Sequence, residues 1–282
     1  MSRIAILTDS SANLTPDLID RYSIRIIPMK IHWGEQTYRD GVDITPTEFY
    51  ARLEQEKELP TTSQLSIPEL IQVFNELASN CEAIVAPLIS SGISGSVDAA
   101  RSAAAEFNLV PVKVVDSLTA ASAQALVVLA SARAAEAGKS ADEVAQEAQS
   151  VARRLSVYFM VDTLKFLHKG GRIGTAAKYL GSALNFKPIL HMDEHGKIDA
   201  LERVRTHHKA LERLVELAVE KAGGAPARIG LLHANAPESA EFIQQELSKR
   251  IQIEEIYTFE LSPVIGAHVG PGTSGVAVYT DE

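Results

Sequence analysis

An apolar run from Ala83 to Ile89 stops at Ser90-Ser91-Gly92-Ile93-Ser94-Gly95-Ser96 and gives way to an alanine-rich segment from Val97. That order reads strand, tight turn, helix. A continuously apolar strand is buried on both faces, the condition of a parallel sheet covered by helices. The small hydroxyl and glycine residues after it leave the first N–H groups of the helix without intrahelical partners. Such groups either take a side-chain cap or hold an anion. Ser94 and Ser96 add hydroxyl donors to the turn.

Two other strand candidates end in the same way. The run Arg3 to Thr8 closes on Asp9-Ser10-Ser11, and Val112 to Val115 closes on Asp116-Ser117. In open parallel sheets ligands collect outside the carboxyl ends of the strands, so three polar strand ends together mark a candidate site. A further strand is predicted over Ile24 to Ile31, and Pro60-Thr61-Thr62-Ser63-Gln64 reads as a polar loop. Thr15-Pro16-Asp17 starts a helix, as do the capping-box spacings Thr45 to Glu48, Ser66 to Glu69 and Ser140 to Glu143. Long helices are predicted over Ala120 to Ala137 and Ala141 to Leu155, their alanines permitting close packing.

From Val157 the texture changes to short strand-like pieces: Val157 to Val161, Pro188 to Leu190, Ile198 to Val204, Ile229 to His233, Ile256 to Leu261 and Val276 to Tyr279. Asp193-Glu194-His195-Gly196 has the composition of a hairpin turn. The helix from His207 to Ala222 carries Leu211, Leu214, Val215 and Ala218 on one face. The expected architecture is therefore α/β with two domains. Residues 1–155 form an α/β domain with a parallel sheet, and residues 156–282 an α+β domain with a mainly antiparallel sheet covered by helices.

With 282 residues, 46% of them hydrophobic, the chain can bury a substantial core. A net charge of -9 argues against nucleic acid or an anionic membrane as the main partner. Cys81 has no second cysteine to pair with. No signal-peptide pattern or long apolar span is seen, so the expected location is a reducing cytoplasm without stable membrane insertion.

Several motifs must be weighed against simpler readings. Gly92-Ile93-Ser94-Gly95-Ser96 matches the Gly-x-Ser-x-Gly elbow of hydrolases in part, with a serine in the place of the last glycine. A serine hydrolase or acyltransferase using Ser94 would need an acid and a histidine, for which Asp116 and His268 are the candidates. Gly270-Pro271-Gly272-Thr273-Ser274-Gly275 fits a dinucleotide-binding pattern, but no helix follows it; a loop passing close to a ligand explains it better. Lys169-Gly170-Gly171-Arg172-Ile173-Gly174 lacks P-loop spacing. His191, His195, His207 and His208 match no zinc signature, so neither a metal nor a cofactor is expected.

Taken together, six motifs in order resemble the DegV family of fatty-acid-binding proteins. They are Thr8 to Ser11, Pro60 to Gln64, Ser90 to Ser96, Val115 to Ser117, Leu167 to Ile173 and Gly266 to Gly272. Leu65, where proline is usual, and Ser96, where threonine is commoner, depart from the pattern. The resemblance implies the two-domain DegV-like (EDD) fold and one long-chain fatty acid, palmitate- or oleate-like, in a tunnel between the domains. It implies Thr62, Ser94 and His268 as carboxylate ligands, with Ser63 and Gly95 in the same set. It also implies a bacterial, non-enzymatic carrier that presents its ligand to a fatty acid kinase, the acyl phosphate passing into phospholipid synthesis. Arg172 and Arg205 match positions that meet the kinase or the phosphate.

Overall fold

The structure, a computed structural model, describes residues 4–281, and at 181–185 the backbone alone. Arg3, which the sequence places at the start of the first strand, lies outside the described residues. The first half of the chain forms β1 (Ile4–Asp9), α1 (Pro16–Tyr22), β2 (Arg25–Ile27), β3 (Lys30–Trp33), β4 (Gln36–Arg39), α2 (Pro46–Gln55), β5 (Thr61–Ser63), α3 (Ile67–Ala78), β6 (Ala83–Leu88), α4 (Ser96–Glu106), β7 (Val112–Asp116), α5 (Ala121–Glu136) and α6 (Ala141–Arg154). The second half forms β8 (Ser156–Met160), α7 (Lys165–Lys169), β9 (Lys187–Met192), β10 (Ile198–Val204), α8 (His207–Ala222), β11 (Ala227–His233), α9 (Pro237–Ser248), β12 (Ile253–Glu260), α10 (Pro263–Val269) and β13 (Ser274–Thr280).

A parallel sheet of order β2-β1-β6-β7 lies in the first half, and a six-stranded sheet of order β10-β9-β8-β13-β11-β12 in the second. The second sheet is antiparallel except for its β11–β12 edge. This is the two-domain α/β architecture expected from the change of texture near Val157. Every residue of β6 is buried, as a central parallel strand requires.

The sequence reading erred at two places in the first half. Ile24 to Ile31 is not one strand: Pro28 has no N–H to give a ladder, and the Met29 N–H donates to Ser10 Oγ at 3.0 Å. The chain therefore leaves the parallel sheet after Ile27 and enters a separate three-stranded sheet of order β4-β3-β5. Thr61–Ser63, read as loop, is the third strand of that sheet, with Thr62 opposite Ile31. The capping boxes at Thr45 and Ser140 are complete. At Ser66 the hydroxyl meets the Glu69 carboxylate instead and leaves the backbone uncapped.

Helix α5 joins the two halves. Thirteen of its sixteen residues are buried, so it has no solvent face and must be covered on all sides. It packs on β1 and β6 of one sheet and on β11 and β13 of the other. The core clusters reflect this. One runs continuously from Ile6 and Leu88 through α5 to Phe159 and Leu232, while a second holds α8 and α9 on the outer face of the six-stranded sheet.

A second junction lies at the serine turn. The Asp193 to Gly196 hairpin turn of β9 and β10 sits on it, with Ser90 Oγ donating to the Gly196 carbonyl at 2.7 Å. Gly92 leaves no room for a side chain here, because a Cβ would collide with the Gly196 carbonyl. Gly92→Ala is therefore expected to lever the hairpin off the turn and to lower stability by about 1–3 kcal/mol, read as a lower midpoint in thermal unfolding. An unchanged midpoint would mean that the hairpin adjusts freely.

Candidate functional site

A cavity of about 360 Å³ opens where the carboxyl ends of the parallel strands face the six-stranded sheet. Its size falls within the range of about 300–1,000 Å³ usual for small-molecule sites. Ile89 and Thr119 come from the strand ends, and Val157, Phe159, Met192 and Leu232 from the opposing sheet. The rest of the wall is largely apolar, Met29, Leu261 and Val264 among it. The polar lining is Thr62, Ser63, Gln64, Ser94, Gly95, Thr119, Arg172, His268 and Thr273. Of the three strand ends read from the sequence, those of β6 and β7 lead into lining residues, while Asp9 at the end of β1 lies behind them and accepts the Ile89 N–H.

Strand β5 places Thr62, whose Oγ1 lies 2.7 Å from His268 Nε2. His268 stands in the last turn of α10, a helix the sequence reading missed although Ser262-Pro263 is a start signal. Its Nδ1 is buried without a partner. A Cβ on Gly170 would strike that nitrogen, so this glycine lets the chain after Lys169 lie against the imidazole. Burial, and secondarily the Arg172 guanidinium, push the His268 pKa down to about 4. The ring is therefore neutral near pH 7, with one nitrogen donating and the other accepting.

Ser94 Oγ lies 3.0 Å from Ser96 Oγ and accepts the Ser96 N–H at 3.3 Å. Ser96 Oγ in turn accepts the Leu65 N–H at 3.3 Å, tying the serine turn to the segment that carries Thr62. Gly95 packs against the carboxamide of Gln64, a lining residue not singled out by the sequence reading. Arg172 spans the opening: its Nε donates to the Ile93 carbonyl at 3.0 Å and its Nη1 to the Gly170 carbonyl at 2.7 Å. Arg205 lies elsewhere, exposed between β10 and α8, and does not line this cavity.

The hydrolase geometry is not assembled. Asp116 accepts from the N–H groups of Ser91 at 3.2 Å and Leu118 at 2.9 Å, and from the Ser91 hydroxyl. It therefore braces the serine turn, while His268 Nε2 is taken by Thr62 and Ser94 by Ser96. No Ser–His–Asp chain joins Ser94, His268 and Asp116.

A family model described as "Uncharacterised protein, DegV family" matches residues 3–281. The chain belongs to the DegV family. A DegV domain-containing protein of Streptomyces coelicolor is 40% identical over 99% of each chain. Among solved structures, a fatty-acid-binding DegV family protein from Thermus thermophilus superposes with a TM-score of 0.93 at 34% identity, covering 99% of each chain. DegV of Bacillus subtilis, described as a fatty acid binding protein, superposes with a TM-score of 0.91 at 34% identity over the full length of both chains. The two-domain DegV fold is thus common to this chain and both solved structures.

The depressed His268 pKa has a measurable signature. In the ligand-free protein its imidazole is expected to titrate near pH 4 by NMR, far below the usual value of about 6.5. As pH falls from about 6.5 to about 4, an unfolded chain takes up a proton that the native ring refuses, so this residue removes stability over that window. Asp40, buried and raised to about 6, acts in the opposite sense, which makes the site-resolved titration the deciding measurement. An ordinary imidazole titration at His268 would mean that the pocket is wetter than its geometry indicates.

Proposed function

We propose that this DegV protein encloses one long-chain fatty acid in the cavity, its carboxylate at Thr62, Ser63, Ser94, Gly95 and His268 and its chain along the apolar wall. The observation that carries the proposal is the Thr62–His268 pair beside the serine turn in the wall of a mostly apolar cavity. The fatty-acid binding described for the Thermus and Bacillus relatives supports it. The protein acts as a carrier and not as an enzyme, with residues 1–155 and 156–282 as the two bodies between which the ligand lies.

Two energy terms of different kind divide the work. Each buried methylene contributes about 0.8 kcal/mol, so roughly fifteen of them give on the order of 12 kcal/mol before ordering costs. Charge-assisted hydrogen bonds of about 1.5–3 kcal/mol each largely offset carboxylate desolvation and fix which end of the ligand faces Arg172. The chain sets affinity and the head group sets orientation.

The role extends to presenting the carboxylate to a fatty acid kinase in the cytoplasm, with the acyl phosphate entering phospholipid synthesis. Arg172, spanning the opening, and Arg205, exposed beyond β10, are assigned to the kinase or to the forming phosphate, which the planar guanidinium fork suits.

Three measurements test this. Denaturing extraction and mass spectrometry of protein purified from bacteria should release one equivalent of long-chain fatty acid. Lipid-free protein that also ignores added fatty acid would defeat the proposal. Thr62→Ala and Ser94→Ala should each weaken binding by about 1–3 kcal/mol with the fold intact, and unchanged affinity in both would move the head-group site elsewhere. Arg172→Ala and Arg205→Ala should retain fatty acid but slow its phosphorylation by a cognate kinase. Normal turnover in both would return the arginines to solvated charges, and lost binding would make them part of the pocket.

A further inference from the structure

A second cavity, of about 240 Å³, lies against the first. The two share Thr119, Val157 and Met192 as lining residues, so these three side chains form the partition between them. The second cavity differs in chemistry, with Arg153, Ser156, Asp193 and Glu194 in its lining.

Its position follows from the strand register. Thr273, whose hydroxyl donates to the Val269 and Gly270 carbonyls at the end of the His268 helix, precedes Ser274, which is opposite Met160. Thr273 is therefore level with Val161. Val157 is four residues back along β8, about 13 Å at the rise of a strand, and Met192 is the β9 residue beside it in register. The partition thus stands at the end of the main cavity away from His268, and the second cavity lies beyond it, toward Leu155 and Ser156.

Within the partition, Thr119 is 3% exposed and its Oγ1 has no hydrogen-bond partner. A buried hydroxyl left unpaired costs about 1–3 kcal/mol and calls for an explanation. The backbone around it is held tightly. The Thr119 carbonyl accepts the Ser90 N–H at 2.8 Å, and Leu118 just before it and Ala121 two residues after it are both at φ 56°, a conformation non-glycine residues rarely adopt. The backbone therefore fixes where the Thr119 side chain is rooted. Met192, with three rotatable side-chain bonds, is the adaptable member of the partition.

We propose that the second cavity is a polar extension of the acyl tunnel that takes the far end of an oxygenated fatty acid, Met192 swinging aside and Thr119 Oγ1 hydrogen-bonding a hydroxyl on the chain. A plain acyl chain stops at the partition. A chain with a hydroxyl at that depth satisfies Thr119 and continues into a chamber whose lining can solvate it. This inference rests on the fatty-acid reading of the main cavity.

The test compares stearic acid, stearic acids hydroxylated in mid-chain, and ω-hydroxypalmitic acid by competition binding. The wild type should bind at least one hydroxy acid as tightly as its plain parent, whereas an unbroken apolar wall would reject every hydroxyl. Thr119→Val should weaken that hydroxy acid about five-fold more than it weakens stearic acid, the difference being one neutral hydrogen bond. Thr119→Ser should restore the discrimination. Met192→Ala, which opens the partition without touching Thr119, should tighten ω-hydroxypalmitic acid relative to palmitic acid. Rejection of every hydroxy acid by the wild type, or equal losses for stearic and hydroxy acids in Thr119→Val, would overturn the second subsite while leaving the fatty-acid reading standing. Failure of stearic and palmitic acids themselves to bind would overturn both.

Discussion

The site depends on one buried carboxylate. Asp9, at the end of β1, is fully buried, and its Oδ2 accepts the Ile89 N–H at 2.8 Å and the Gln124 carboxamide at 3.2 Å. Its Oδ1 takes the Ser11 N–H at 3.0 Å and the Ser11 hydroxyl. Desolvation raises the Asp9 pKa in spite of these four donors, which shows how dry the position is. The same group ties three places: the end of β1, Ile89 between β6 and the serines, and the first turn of α5. Removing it would free Ile89, and with it the geometry of everything from Ser90 to Ser96. Thr8 adds a parallel strut, its Oγ1 donating to the Pro87 carbonyl at 2.7 Å.

From that anchor the binding surface is built by loops that hold one another. Asp116 grips Ser91 from the next strand, Ser90 holds the hairpin turn at Gly196, and Ser96 reaches the Leu65 N–H. Each of these polar residues was legible in the sequence as a strand-end motif, because strand ends with small hydroxyls have few other uses. Their division of labour was not legible. Asp116 reads equally well as the acid of a catalytic triad, but in the fold it is occupied by Ser91 and Leu118. Periodicity identified the parallel sheet, α5 and α8 because those elements are long and strongly patterned. It failed at Ile24 to Ile31 and at Thr61–Ser63, where short strands pair with partners distant in sequence and Pro28 redirects the chain. The cavity wall was invisible for a related reason: Phe159, Met192 and Leu232 are ordinary inward-facing strand residues, and only the three-dimensional gap in front of them gives them a role.

Helix α5 explains why two sheets can enclose a cavity and not simply collapse on it. Its alanines allow both sheets to approach closely along most of its length, so that Gly230 of β11 packs directly on Ser122. At its start the helix offers only Ala120 and Ala121 to the cavity, with Thr119 before them. Small side chains there leave space that the larger residues of Phe159 and Met192 do not fill. The tight packing deeper in the helix holds that space open, since closing it would require the two sheets to move together around Leu126 and Leu129, which are 2% and 0% exposed.

Charge is distributed at the polar end in a way that suits an anion which must be bound and also reached. A protonated His268 would be the simplest counter-charge, yet in the ligand-free protein its burial and the neighbouring guanidinium keep it neutral. The positive charge is carried instead by Arg172, which commits two of its five N–H donors to the Ile93 and Gly170 carbonyls and keeps three for other contacts. A buried imidazolium would hold a carboxylate in a strong, desolvated pair, and separating the two would leave an uncompensated buried charge. In the proposed complex a neutral imidazole hydrogen-bonding the head group, with the fixed cation displaced to the opening, would avoid that penalty. In that complex the anion would be oriented by Thr62, Ser94 and His268 but neutralised only at the surface, where a partner could replace the arginine's contact without first breaking a buried ion pair.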